Sequence, residues 1–174
     1  MEARQCPSPN HDERPPGTLI DLLVIHNISL PPGEFGGPWI DDLFLNRLDP
    51  CADPYFQKIC QLRVSPHLLI RRDGELVQYV PLHLRAWHAG PSKFQGQEQC
   101  NDYSIGIELE GTDDTPYTDT QYQALAQITR QIMQTYTAIT PTRVVGHSDV
   151  APGRKTDPGP SFDWDHYHAM LEQD

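Results

Sequence analysis

The spacing of apolar and polar residues changes along this chain, and each change marks an element. Residues 19–25 (Leu-Ile-Asp-Leu-Leu-Val-Ile) end in four consecutive apolar side chains just before a turn-forming stretch with two prolines and a glycine. That pattern predicts a buried strand over 19–26, with His26 at its end. Trp39, Leu43 and Phe44 share one side of a helix over 39–48. Two apolar runs, 67–72 and 75–80, flank Asp73-Gly74 and predict a hairpin with a two-residue turn. Ile105, Ile107 and Leu109 alternate with Ser, Gly and Glu, as in a strand with one apolar face over 104–109. Thr118, with Gln121 three residues on, marks a helix start, and Tyr122, Leu125, Ile128, Ile132, Met133 and Tyr136 recur at helical spacing behind it. A short strand over 143–147 and a closing helix over 163–172 complete the chain.

A hairpin and further strands separated by helices predict an α+β fold: one central mixed β-sheet flanked by helices, with its chemistry at the strand ends. At 174 residues, and without a linker or a shift in composition, the chain reads as a single domain over 1–174. Residues 1–17 are expected to be irregular. Charge narrows the choice of partners. Thirteen Lys and Arg against 24 Asp and Glu leave a formal charge of −11, a surface that repels nucleic acid and anionic membranes. No obligate protein partner is called for. The first twenty residues hold no apolar stretch of the signal-peptide kind and no run is long enough to span a membrane, so the expected location is cytoplasmic. Cys6, Cys51, Cys60 and Cys100 are then expected as thiols, and their wide spacing argues against cysteine-ligated zinc.

The candidate chemistry is concentrated in the closing run His147-Ser-Asp-Val-Ala-Pro-Gly-Arg-Lys-Thr-Asp157-Pro-Gly-Pro. Its prolines and glycines oppose helix formation, so its His, Lys and Asp are expected to be held out toward something rather than buried. Imidazole and carboxylate are ordinary zinc ligands, and a catalytic zinc takes three protein groups with a fourth position left open. His147 and Asp157 supply two, and His26, on a rigid strand end, supplies the third. His67 and His88 are left outside this set, as histidines that either stand behind the ligands or are structural. A water activated at such a site also needs a nearby carboxylate to take its proton. Glu108 and Glu110 both qualify, and strand alternation puts them on one face, so parity does not choose between them.

Four separated motifs carry a family resemblance: Val24-Ile-His-Asn-Ile-Ser-Leu-Pro-Pro-Gly33, Arg85-Ala-Trp-His-Ala-Gly90, Ser104-Ile-Gly-Ile-Glu-Leu-Glu-Gly111 and Gly146-His-Ser-Asp-Val-Ala-Pro-Gly-Arg-Lys-Thr-Asp-Pro-Gly159. Over nearly the whole chain the sequence resembles the AmpD-type 1,6-anhydro-N-acetylmuramoyl-L-alanine amidases, zinc amidases related to phage amidases and peptidoglycan recognition proteins. The resemblance implies His26, His147 and Asp157 as zinc ligands and selects Glu108 as the proton carrier. Lys155 is expected to donate to the oxyanion, while Glu110 is left as a solvated strand-edge charge. The implied substrate is a small soluble anhydro-muropeptide cleaved in cytoplasmic peptidoglycan recycling. Its carboxylates call for a local cationic patch, for which Arg63, Arg154 and Lys155 are the candidates. Trp87 is the expected platform for the muramyl ring, Asn27 an amide contact, and Tyr55 a gating tyrosine. Gln99 stands where the family commonly has a basic residue. The rival readings are a non-catalytic muropeptide-binding protein on the same fold and a lytic amidase acting on polymeric wall.

Overall fold

The computed structural model describes residues 2–172. In chain order the strands are β1 (Arg4–Gln5), β2 (His11–Asp12), β3 (Leu22–Ile28), β4 (Leu68–Ile70), β5 (Leu76–Gln78), β6 (Arg85–Ala86), β7 (Lys93–Phe94), β8 (Gln97–Glu98), β9 (Ser104–Glu110) and β10 (Val144–Gly146). The helices are α1 (Trp39–Phe44), α2 (Phe56–Ile59), α3 (Asp119–Thr135), α4 (His147–Val150) and α5 (Trp164–Leu171). Six strands form the main sheet in the order β1-β5-β4-β9-β3-β10. Only the β4/β5 hairpin is antiparallel within it, so the sheet is mixed, as the alternation of strands and helices predicts.

Strand alternation divides the core into two layers. Leu23, Ile25, Ile105, Ile107 and Leu109 point to one face, where Leu125, Ile128 and Ile132 of α3 and Tyr167 of α5 cover them. On the other face, Leu22 and Val24 meet Ala89, Cys100 and Val150, while Leu69 and Val77 meet Ile40, Leu43, Phe44 and Phe56. With both faces covered, the central strands are apolar almost throughout. Helix α3 starts as its sequence dictates: the Thr118 hydroxyl accepts from the Gln121 backbone N–H at 3.1 Å, and the Gln121 side chain accepts from the Thr118 N–H at 3.2 Å. A cap of this kind contributes about 1 kcal/mol.

Several expectations are corrected. Residues 1–17 are not irregular throughout: β1 adds a parallel edge strand beside β5, and β2 pairs antiparallel with β6. The first buried strand runs over Leu22–Ile28 rather than 19–26, because its pairing with β9 begins at Leu22 opposite Ser104 and leaves Leu19 exposed. The hairpin turn has three residues, not two. Arg71 N–H donates to the Glu75 carbonyl at 2.9 Å, Gly74 N–H to that of Arg71 at 2.9 Å, and Gly74 takes a left-handed φ of 88°. The helix expected over 39–48 stops at Phe44, since Asn46 adopts φ 60° and pairs its side-chain amide reciprocally with that of Asn10 at 2.9 and 3.0 Å.

Glycine 106 in the middle of β9 shapes what lies above it. A Cβ there would sit 2.5 Å from Cγ of His88, so the ring rests directly on the strand. Gly106→Ala is therefore expected to lower stability by about 1–3 kcal/mol, the usual cost of forcing atoms into a packed interior. Denaturant unfolding checks this, and an unchanged midpoint would contradict the close seat.

Candidate metal centre and active-site cavity

Strand register assembles the site. Parallel pairing of β3 with β9 sets His26 beside Glu108. Pairing of β10 with β3 matches Gly146 to Ile25, so His147, the next residue, comes level with His26. Asp157 returns along the Pro/Gly loop, where its carbonyl accepts from the Ser148 N–H at 2.9 Å. The result is a cluster of three ligand atoms: His26 Nδ1 and His147 Nδ1 are 2.9 Å apart, and Asp157 Oδ2 lies 3.2 Å from the first and 2.9 Å from the second.

The chemistry of this set fits a zinc ion. Nε2 of His147 faces the Ala89 carbonyl at 3.0 Å, and a carbonyl only accepts, so the ring proton is on Nε2 and the Nδ1 lone pair faces the cluster. Burial draws His26 down to about 4, which keeps its ring neutral. Two imidazole nitrogens and one carboxylate oxygen at mutual distances of about 3 Å are satisfied together by one central cation. Among the described residues this is the group of His, Cys, Asp and Glu that converges closely enough to hold a metal.

A cavity of about 600 Å³ opens over the cluster. Asn27, Tyr55, Glu108, Arg154 and Lys155 line it with His26, His147 and Asp157. Segment 27–33 forms one wall, and Leu43, Phe44, Ile59, Leu62 and Val64 add an apolar one. Oε2 of Glu108 is buried without a hydrogen-bond partner among the described residues. Burial, then the charge of Asp157, pushes its carboxyl well above the usual range, while Lys155 pulls the other way. Asn27 donates both amide hydrogens, to Asp113 Oδ1 at 2.9 Å and the Pro158 carbonyl at 3.1 Å. Arg154 reaches the Ala89 and Pro91 carbonyls at 2.6 and 2.7 Å, so it also braces the acceptor of His147.

Other expected residues fall elsewhere. Trp87 does not line the cavity; its indole N–H donates to Asp12 at 3.1 Å, which turns the ring toward the N-terminal segment. Arg63 is also outside, exposed, its guanidinium donating to the Leu62 carbonyl at 3.2 Å. Glu110 is not a solvated edge charge. It is 1% exposed, ion-paired with Arg71 at 3.3 Å, and accepts from the backbone N–H of Gly36 at 2.6 Å and of Arg72 at 3.2 Å. The closing run is held out only in part: Lys155 is exposed, but His147 is 3% exposed and opens a single helical turn before Pro152 stops it. The four cysteines are free thiols, as expected.

Sequence reasoning left His88 outside the ligand set, with a place behind the ligands and a structural role both open, and missed the apolar wall and Asp113. His88 Nδ1 lies 2.9 Å from His26 Nε2. The available signal was Gly106, a glycine inside an otherwise apolar strand, which marks a close approach. The wall comes from short irregular segments that carry no periodicity.

Two histidines and an aspartate at the ends of a mixed sheet, with an unpartnered carboxyl beside them, define a candidate metal hydrolase. Residues 16–160 match the family model described as N-acetylmuramoyl-L-alanine amidase, and the chain belongs to that family of amide-bond hydrolases, as its four motifs imply. It is 61% identical to the 1,6-anhydro-N-acetylmuramyl-L-alanine amidase AmpD of Enterobacter cloacae over 98% of this chain and 91% of that protein. The corresponding enzyme of Escherichia coli K12 is 59% identical over 99% and 93%. A crystal structure of a selenomethionine AmpD derivative superposes with a TM-score of 0.95 at 62% identity, covering 98% of this chain and 94% of that one. The complex of the E. coli amidase AmiD with anhydro-N-acetylmuramic acid-L-Ala-D-gamma-Glu-L-Lys superposes with a TM-score of 0.64 at 31% identity, covering 91% and 60%.

If His26, His147 and Asp157 hold one ion, losing any one should impair the whole centre. His26→Ala, His147→Ala and Asp157→Ala should each lower zinc content and turnover together. Full zinc content by metal analysis in the His26 variant would overturn the ligand set.

Proposed function

We propose that this chain is a zinc-dependent amidase that hydrolyses the bond between the lactyl carbonyl of 1,6-anhydro-N-acetylmuramic acid and L-alanine in soluble muropeptides, within cytoplasmic peptidoglycan recycling. The observation that carries the reading is Glu108: a half-buried side chain whose Oε2 is buried and unpartnered among the described residues, in register with His26 and in one cavity with His147, Asp157 and Lys155. The substrate class is supported by the high identity to enzymes that are themselves anhydromuramyl-L-alanine amidases. No helix among the described residues is long and apolar enough to cross a membrane. A purely binding role would not require this proton-carrying group beside a complete ligand set.

When bound, zinc supplies Lewis acidity, which polarises the scissile carbonyl and favours ionisation of water. His26, His147 and Asp157 hold it, and the protein's own side chains do the rest. Glu108 takes the proton of the attacking water on Oε2 and returns it to the nitrogen of the departing alanine. A carboxyl shifted upward by burial is closer to neutral pH and better matched to both transfers. Lys155, at the rim, offsets the negative charge that grows on the carbonyl oxygen. The amide hydrogens of Asn27 are committed to Asp113 and Pro158, so it meets the substrate through Oδ1 as an acceptor of an N–H. The apolar wall of Ile59, Leu62 and Val64 excludes water from one side of the reacting group.

Glu108→Gln should keep zinc and lower kcat by on the order of 10²–10⁴, the usual worth of a general base. Glu110→Gln is expected to act differently. Weakening its charge-assisted bonds to Arg71 and the backbone should cost about 1.5–3 kcal/mol of stability, measured by denaturant unfolding, with little loss of kcat in the folded protein. A crippled kcat in the Glu110 variant with a normal Glu108 variant would reverse the assignment.

Substrate choice is tested by offering anhydro-muropeptides and intact sacculi side by side. Rapid release of peptide from the soluble fragments and little from sacculi is expected. Equal or faster release from sacculi would move the chain to the lytic class.

A further inference from the structure

We propose that His88 is a positioning residue for the metal centre, the middle of a buried hydrogen-bond relay that fixes which nitrogen of His26 is free to bind zinc. The inference rests on the reading of His26, His147 and Asp157 as zinc ligands and goes beyond it by assigning a task to a histidine outside the ligand set.

Proton positions follow from the far end of the relay. The Cys100 carbonyl lies 2.5 Å from Ser104 Oγ and can only accept, so the hydroxyl hydrogen of Ser104 is committed to it. Toward His88 Nε2, at 3.2 Å, the Ser104 oxygen can then only accept, which places the His88 proton on Nε2. Nδ1 of His88 lies 2.9 Å from His26 Nε2, and since Nδ1 of His26 is one of the three converging ligand atoms, the ring proton of His26 belongs on Nε2 and that contact is a bond that His26 donates to His88. With its proton on Nε2, His26 turns the Nδ1 lone pair toward His147 and Asp157. The second ligand is set the same way by a different acceptor, the Ala89 carbonyl.

The seat of His88 is built for this task. Gly106 leaves room for the ring directly over β9. Asn101 Oδ1 accepts from the backbone N–H of both His88 and Ala89, at 3.1 and 2.8 Å, so one side chain fixes the segment that orients both metal histidines. A histidine kept only for packing would need neither a matched donor nor a matched acceptor, whereas here both ring nitrogens are used in one direction. Acceptors of this kind behind ligating histidines typically matter 10–100-fold for metal affinity.

The test measures zinc affinity by competition with a chromophoric chelator, in wild type and two variants. His88→Phe keeps a ring but removes the acceptor, and it should bind zinc about 10–100-fold more weakly. His88→Asn retains an acceptor oxygen near the place of Nδ1 and should lose less. Independently, a long-range ¹H–¹⁵N spectrum of the zinc-free wild type should show His26 protonated on Nε2 with Nδ1 bare. Equal zinc affinity in wild type and His88→Phe, or a proton on Nδ1 of His26, would overturn the proposal. Should His88→Phe fail to fold, the wild-type spectrum still decides, and Ser104→Ala should weaken zinc binding by releasing the far end of the relay. Wild-type protein that takes up no zinc would instead remove the metal reading itself, so the two failures are distinguishable.

Discussion

The parallel register of β3 between β9 and β10 is the constraint on which the site depends. It sets His26 opposite Glu108 on one side and level with His147 on the other. A slip of one residue in either pairing would send the shifted strand's side chains to the opposite face. The same slip would also expose the Leu23, Ile25, Ile105 and Ile107 row that packs under α3, so the apolar core and the catalytic geometry are enforced by one set of contacts. That coupling explains how a site with several buried polar groups is maintained: the burial of the odd-numbered row holds the even-numbered row in place.

The elements that could be read from sequence are those whose side chains repeat with the period of their backbone. Residues 104–109 alternate cleanly and form β9; the Thr118–Gln121 pair and the stripe behind it give α3 with its cap; the closing run delivers His147 and Asp157. What escaped lies where tertiary contacts override local signals. Residues 1–17, with four prolines and many charges, look irregular alone, yet β1 and β2 form because β5 and β6 offer free edges. Glu110 looks like a solvated edge charge from its type alone, yet the backbone at Gly36 closes on it and Arg71 pairs with it. Trp87 and Arg63 are of types suited to a sugar-peptide cleft, but Asp12 and the backbone around Leu62 supply nearer partners.

Different backbones serve the three side chains that could hold a metal. His26 sits inside β3, a strand paired on both sides, by β9 and by β10. His147 sits where β10 gives way to a single helical turn, and that turn carries it into the interior rather than out of the sheet. Asp157 sits on a loop, where strand pairing cannot hold it. Proline supplies the missing stiffness: Pro152, Pro158 and Pro160 reduce the freedom of the unfolded loop, so less entropy is lost when Asp157 closes the site. The Ser148 N–H bond to the Asp157 carbonyl then ties the returning chain to the turn that bears His147.

Electrostatics sets what such an arrangement costs and what it gains. Lone pairs about 3 Å apart repel one another in a site largely shielded from water, where screening is weak. The folded scaffold withstands this because the ligands are held by the sheet, the prolines and second hydrogen bonds, not by attraction for each other. A cation turns that repulsion into coordination, so binding energy adds directly to the stability of the folded state, by RT ln(1 + [L]/Kd) for a ligand absent from the unfolded chain. Glu108 feels the same field from outside the cluster. Its carboxyl is raised by burial and by the charge of Asp157, and a metal that cancels part of that charge would draw it back down. Loading such a centre and tuning Glu108 would therefore be one electrostatic event: an ion that completed the ligand set would also shift the affinity of the neighbouring carboxyl for its proton.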